Sequence, residues 1–220
     1  MQTYKITFKL ATPISFIDIP TFDGILSYAF AREKLKRQEF AQKLNLSKEE
    51  MLDFSEMPIS MHEKGYFMAS RMFWDENKAV EHTQRWRKRW ANQHDVIADF
   101  GKHIRKVRIN SSEFKSYDMP LRVVAIDEVW FYFKSEVLSE VDKLVRKWIY
   151  FIGKKRSQGY GEISSFDIKE VDYDFNGAFR PIPASLFDLN RFKKVEVKYC
   201  AWKPPYWLPA NFDECIMTDR

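Results

Sequence analysis

Two stretches in which a strand pattern runs straight into a helix pattern, one at the start of the chain and one well past its middle, limit the folds open to it. Tyr4, Ile6, Phe8 and Leu10 alternate with Thr3, Lys5, Thr7 and Lys9, the period of a strand with one buried and one wet face. Pro13 and Pro20 bracket a connection. From about Phe22 a helical period takes over, with Ile25, Leu26, Ala29, Phe30 and Leu35 on one side and Arg32, Lys34, Lys36 and Arg37 on the other. The second stretch begins with Val123, Val124, Ile126, Val129, Trp130, Phe131, Tyr132 and Phe133, a β-branched and aromatic run in which Asp127 and Glu128 mark a break or bulge. Ser135 is placed to cap the next helix, whose apolar face is Val137, Leu138, Val141, Leu144, Val145, Trp148 and Ile149. A last strand is expected from about Glu162 to Val171. Strand–helix, long insertion, strand–helix–loop–strand predicts an α+β chain, a ferredoxin-like (RNA-recognition-type) αβ sandwich. At 220 residues this is expected to be a single domain, with a core of 1–43 and 121–175, an insertion at 44–120 and a C-terminal extension at 176–220.

The loop after the second helix carries the most chemistry. Three of the seven glycines, Gly153, Gly159 and Gly161, fall in GKKRSQGYGE, interleaved with Lys154, Lys155 and Arg156. Glycine permits positive φ and close backbone approach, and cations beside exposed amides make a concave site for phosphates. The order excludes a P-loop, because the lysines follow the first glycine and Tyr160 follows the second. It also excludes the dinucleotide fingerprint, which leaves a strand and opens a helix. The plain alternative is a helix stop, with Gly153 at the C′ position after a basic last turn.

The chain's charge of +5 is local: from Arg85 to Arg108 eight basic residues face only Asp95 and Asp99. Within that stretch RWRKRW, Arg85 to Trp90, interleaves cations with rings, which suits phosphates and unstacked bases. If helical, it pairs Arg85 with Arg89 and Trp86 with Trp90, and a surface helix docked by its tryptophans is the competing reading. Further on, Val107 and Ile109 lead into Asn110-Ser111-Ser112 and Leu121 to Val124 lead out, which predicts a thumb-like hairpin decorated by Lys102, Arg105, Lys106, Arg108, Lys115 and Arg122. Such charges also serve simply to protect an edge. Before it lie a helix start at Leu46 to Glu50 and an aromatic and methionine cluster from Tyr66 to Trp74.

The segment IGKKRSQGYGEI between a helix and a strand resembles the glycine-rich loop of the RAMP superfamily, the RNA-binding proteins of CRISPR effector complexes. FDGILSYAFAREK (Phe22 to Lys34), RPIP (Arg180 to Pro183) and PPYW (Pro204 to Trp207) with Cys215 beyond it are similar to one branch, the subunit that caps the 5′ handle of the guide RNA in type IV systems. The resemblance implies a binding and assembly subunit, not an enzyme. Gly153, Lys154, Lys155, Arg156, Gly159, Tyr160 and Gly161 would contact the handle, with Arg85, Arg89, Lys102, His103, Arg105, Lys106, Arg108 and Lys115 as further RNA contacts. The implied partners are guide RNA, backbone RAMP subunits, a large or small effector subunit, target DNA beside the protospacer-adjacent motif, and a helicase.

Two other classes remain open. Some members of the superfamily cut precursor RNA without metal, using a histidine and lysines. Of His62, His82, His94 and His103, the last lies among cations and is the best candidate; some handle-capping relatives use a Tyr-Lys-His set, and here Tyr160 and Lys155 are available. A protein-interaction module without RNA would explain Trp202, Tyr206 and Trp207. No cofactor or metal is expected: Asp172 and Asp174, or Asp53 and Glu56, read as solvated carboxylates, and Cys200 and Cys215 form no zinc motif. Two cysteines, eight methionines and no signal peptide point to a reduced cytoplasmic protein, and no apolar run approaches the roughly 18 residues that cross a bilayer.

Overall fold

The alternation at the N-terminus becomes the central strand of a sheet, because its apolar side has partners on both edges. A computed structural model of the chain describes residues 1–35, 52–89, 115–186 and 196–217. The helix start at Leu46 to Glu50, Trp90, His94, and the hairpin's expected lead-in and turn from Lys102 to Ser112 lie outside these residues. Strand β1 (Gln2–Leu10) pairs antiparallel with β5 (Glu128–Ser135) on one side and β6 (Ile163–Glu170) on the other. The register sets Ile6 opposite Phe131 and Ile168, and Phe8 opposite Val129 and Phe166, so inward side chains meet across both ladders. Outside β5 runs residues 67–73, joined by bridges at Ala69 to Phe133 and Phe73 to Trp130. Tyr132 completes this edge by donating its amide to Ser70 Oγ at 2.8 Å. The order across the sheet is therefore 67–73, β5, β1, β6.

Helices α1 (Phe22–Lys34) and α2 (Leu138–Trp148) cover one face. Phe22, Leu26, Ala29 and Phe30 of α1 and Val141, Leu144 and Val145 of α2 join Ile6, Phe8, Val129, Phe131 and Phe133 in one core. Phe22 is the hub, with ring centroids 4.8 Å from Phe133 and 5.6 Å from Phe131. The helices are tied at their last turns, where Glu33 accepts from Lys147 Nζ at 2.7 Å and Trp148 Nε1 at 2.8 Å, which holds its carboxyl below the usual range. Ser135 serves α2 from two residues before its N-cap: its Oγ accepts the Val137 amide at 3.0 Å and donates to Pro58 O at 2.7 Å.

The run from Val123 to Phe133 is not one strand. The chain changes sheets at Ile126 and Asp127, between β4 (Tyr117–Ala125) and β5, which begins at Glu128. Strand β4 belongs to a ribbon of order β2–β4–β3, with β2 at Ile14–Ser15 and β3 at Val80–Lys88. The RWRKRW segment is accordingly extended through Lys88, and the helical i,i+4 pairing expected for it does not form. The polar character of β3 suits this, since all of it is exposed apart from Trp86.

The C-terminal extension builds a third sheet of order β7–β9–β8, from Pro181–Pro183, Phe212–Met217 and Glu196–Ala201. One buried ionic cluster anchors it. Arg180, whose side chain has no exposure, donates from Nη1 to Phe67 O at 2.6 Å and from Nη2 to Asp23 Oδ2 at 2.9 Å and Trp202 O at 2.6 Å. Tyr206 donates to Asp23 Oδ2 at 2.8 Å and pairs with Thr21 Oγ1 at 2.7 Å. Burial, reinforced by Asp23, pushes the Tyr206 hydroxyl far up, so it stays a donor. The Arg180 guanidinium is penalised by burial, yet Asp23 and Tyr206 outweigh that and raise its pKa, so it stays charged. The PPYW segment thus presses on its own chain. Asp23→Ala, which strands a buried guanidinium, is expected to destabilise the protein by about 3–5 kcal/mol in denaturant unfolding, against about 1–3 kcal/mol for Tyr206→Phe.

Candidate nucleic-acid interface

The glycine loop is held by a closed neck before it is free to do anything else. Past α2, Ile152 donates its amide to Gly161 O and Ile163 to Tyr150 O, both within 3 Å, which draws the two ends together. The neck then docks on the residues from Thr12 to Ser15, which leave β1 and form β2. Lys154 N donates to Ser15 O at 2.6 Å and Gly161 N to Pro13 O at 2.8 Å, while Thr12 Oγ1 donates to Gly159 O at 2.6 Å and accepts from Glu162 N at 2.9 Å.

The glycines divide by role. At Gly153 (φ +90°) a Cβ would lie 2.4 Å from Ser15 O, and at Gly161 (φ +71°) 1.9 Å from Ile152 O. The room at these two positions is filled by the chain itself. Gly153 is also not the C′ residue of α2, which already ends at a C-cap at Ile149. Gly159 (φ +84°) has nothing within 4 Å and needs glycine only for its backbone angle.

At the tip, Lys155 adopts a left-handed conformation, φ 59° and ψ 33°, and leads into a 3₁₀ turn at Arg156–Gln158. A left-handed residue followed by right-handed ones turns successive amides to one side, forming a nest for an anion. The amides of Lys155, Arg156 and Ser157 have no hydrogen-bond acceptor among the described residues. The three loop cations likewise have no carboxylate partner there. Two of them face rings instead: Lys155 Nζ lies 4.4 Å from the Trp86 centroid and Arg156 Cζ lies 4.9 Å from Tyr28.

The ribbon's two faces differ. Val80, His82, Gln84, Trp86 and Lys88 share the face turned to the loop, where Tyr160 Oη donates to Gln84 Oε1 and Trp86 Nε1 donates to Tyr117 Oη at 2.6 Å. On the other face Arg85 and Arg87 both reach Asp118, at 3.0 and 3.1 Å, and hold its carboxyl below the usual range. Arg122 makes a two-pronged bond to Glu81, both arms 2.7 Å, and lies 4.9 Å from the Phe16 ring.

The structure therefore brings together Gly153, Lys154, Lys155, Arg156, Gly159, Tyr160 and Gly161 with the ribbon that carries Arg85. Arg89 and Lys115 are exposed just beyond the ends of β3 and β4. Lys102, His103, Arg105, Lys106 and Arg108 lie outside the described residues. Sequence reading missed Gln84 and Tyr28: the first has no signal, and the second is an aromatic in an apolar helix whose exposure depends on what packs nearby. Three of the four carboxylates weighed as metal ligands have protein partners, Asp53 accepting the Ser55 amide, Glu56 pairing with Lys34, and Asp174 with Lys134. Among the described residues no helix is long and apolar enough to cross a membrane.

A basic loop with open amides, braced by a two-sided ribbon on an α+β body of antiparallel sheets, defines the class of protein in structural terms. Its family follows from comparison. Residues 2–218 match the family described as CRISPR type IV associated protein Csf3, a Cas5-like family. The chain belongs to that family and is a type IV CRISPR effector subunit. No match was found among curated proteins.

The division among the glycines has a measurable consequence. Gly159→Ala is expected to cost about 1–2 kcal/mol from its backbone angle alone, a fall of roughly 2–8 °C in melting temperature for a chain of this size. Gly161→Ala adds a backbone clash and is expected to lower it further in the same thermal scan.

Proposed function

We propose that this subunit holds the 5′ handle of the guide RNA in the glycine loop, does not cut it, and starts the row of backbone subunits. The observation that carries the reading is the charge state of the loop. Several strong cations of the described surface are paired with carboxylates, as Arg85 and Arg87 are with Asp118, Arg122 with Glu81 and Lys198 with Asp18. Lys154, Lys155 and Arg156 are three consecutive cations with no carboxylate partner among the described residues, where Lys155 and Arg156 meet only aromatic rings and the neighbouring amides have no acceptor. An RNA phosphate supplies the missing acceptor, since it takes both ion pairs and amide hydrogen bonds. The strand order 67–73, β5, β1, β6, with both helices on one face, supports the finer reading of the body as a ferredoxin-like αβ sandwich. The partners in this reading are guide RNA, backbone RAMP subunits and the large or small effector subunit; contacts with target DNA and a helicase remain further expectations of it.

A second reading, metal-independent RNA cleavage, is favoured by one feature. His82 shares the loop-facing side of β3 with Gln84 and Trp86, the residues that engage Tyr160 and Lys155. A tyrosine, a lysine and a histidine are thus gathered on one side of the ribbon, in the residue types such chemistry uses.

One experiment separates the two. Labelled repeat RNA incubated with the protein in chelator, run on a shift gel and a denaturing gel, is expected to be bound and intact. Changing Lys154, Lys155 and Arg156 together to Ala should abolish binding at physiological salt. Where residual binding is measurable, the slope of log affinity against log salt should fall by roughly 2, the value for three single-strand phosphate contacts. Cleavage products that vanish in His82→Ala or His103→Ala would overturn the non-catalytic reading. A chain that retains no RNA at low salt but captures a protein partner would favour an interaction module.

A further inference from the structure

Beside the loop a groove of about 770 Å³ runs between the front of α1, the segment from Phe16 to Thr21, the loop and the C-terminal sheet. That volume is within the range of roughly 300–1,000 Å³ usual for ligand clefts. Gly153, Lys154 and Arg156 line it as well as the phosphate-binding tip, so the groove and the cradle are continuous. We infer that the groove receives unstacked bases of the single-stranded RNA whose phosphates the loop holds, and that the C-terminal sheet forms its base-contacting wall; the inference rests on the loop reading above.

Three features of the lining favour nucleotides. Lys154 and Arg156, which have no carboxylate partner among the described residues, line the groove on the loop side, while Arg122 and Lys198 line it already paired with Glu81 and Asp18, so the positive charge left for a polyanion lies where the groove meets the loop. Its floor is apolar and aromatic, from Ile19, Ile25 and Ile149 to Phe16 and Tyr28, and two of these rings already lie about 4.9 Å from a guanidinium, Phe16 from Arg122 and Tyr28 from Arg156. A base stacks on a ring or on the open face of a guanidinium plane. Opposite them Tyr199 of β8 is 67% exposed on a strand edge and rests against Phe212, with ring centroids 5.8 Å apart. A large aromatic left this open, inside a basic groove, is a stacking surface without an occupant from the described residues. The Asp18–Lys198 ion pair at 2.5 Å ties the 16–21 segment to β8 and holds the two walls together.

The arrangement makes the C-terminal sheet part of base discrimination, while the loop supplies affinity without regard to sequence. The two contributions separate experimentally. In the full chain, repeat RNAs carrying a single abasic position, moved stepwise along the 5′ segment, are expected to lose on the order of tenfold in affinity at one to three adjacent positions. Tyr199→Ala and Tyr28→Ala should each lose a similar factor on intact RNA, show no added loss at the sensitive position that faces them, and keep the native salt slope. Tyr199 is exposed enough that its replacement leaves the fold in place, which circular dichroism checks. If the loop triple variant releases RNA but every abasic position is silent, the groove inference falls and the loop reading stands. If abasic losses are the same in Tyr199→Ala and Tyr28→Ala as in the unaltered chain, the inference also falls. Loss of a protein partner in Tyr199→Ala with RNA affinity unchanged would assign the groove to that partner. Failure of the unaltered chain to retain RNA would overturn both readings.

Discussion

The buried pair of Arg180 and Asp23 is the constraint on which the rest of the arrangement depends. Two charges removed from water carry a desolvation penalty that their mutual attraction and added hydrogen bonds must offset, and here the guanidinium is shared among Asp23, two backbone carbonyls of the 67–69 segment, Trp202 O and Tyr206, with Arg180 Nε and Asp23 Oδ1 left without a partner among the described residues. Asp23 lies in the first turn of α1, where the helix dipole favours a carboxylate. The pair therefore joins the helix layer, the fourth strand-like segment and the C-terminal sheet in one place. Without it the third sheet would be held to the body by modest apolar contacts around Tyr66, Met68 and Ile182 and by surface ties such as the Asp18–Lys198 ion pair.

What was legible in the sequence was what repeats with a fixed period. The alternation of Tyr4, Ile6 and Phe8 identified β1, and the apolar face of Val141, Leu144 and Val145 identified α2, because burial on one side leaves a regular trace. RWRKRW leaves no such trace. Its cations suit either period, and only the ladder to β4, with Arg85 and Arg87 on the same side over one carboxylate, makes it a strand. The break at Asp127–Glu128 was visible, but not that it separates two sheets. The family resemblance drew attention to Asp23, Arg180 and Tyr206, yet nothing in three separate motifs reveals that they meet in a single ionic cluster. The glycine loop shows the same limit from the other side: its composition announced a tight, basic turn, while the division of Gly153 and Gly161 from Gly159 required knowing where Ser15 and Ile152 lie.

The loop and the ribbon are also not independent parts. Trp86 lies beneath Lys155 and Gln84 accepts from Tyr160, so the tip of the loop takes its position from a strand that the chain makes about seventy residues earlier. A ligand that engages the loop's cations therefore acts on a surface already braced on two sides, by the 12–15 segment and by the ribbon. That preorganisation reduces the ordering that binding would otherwise demand.

Helix α1 meets three different neighbours along its length. Asp23 in its first turn enters the ionic cluster, Tyr28 near its middle lies under Arg156 of the loop, and Glu33 in its last turn ties down α2. Each added or removed residue turns everything beyond it by about 100° and shifts it by about 1.5 Å. The helix is thus a gauge of fixed length: this chain can exchange side chains along α1, but an insertion or deletion between Asp23 and Glu33 would put the anchor of the C-terminal sheet and the anchor of α2 out of phase.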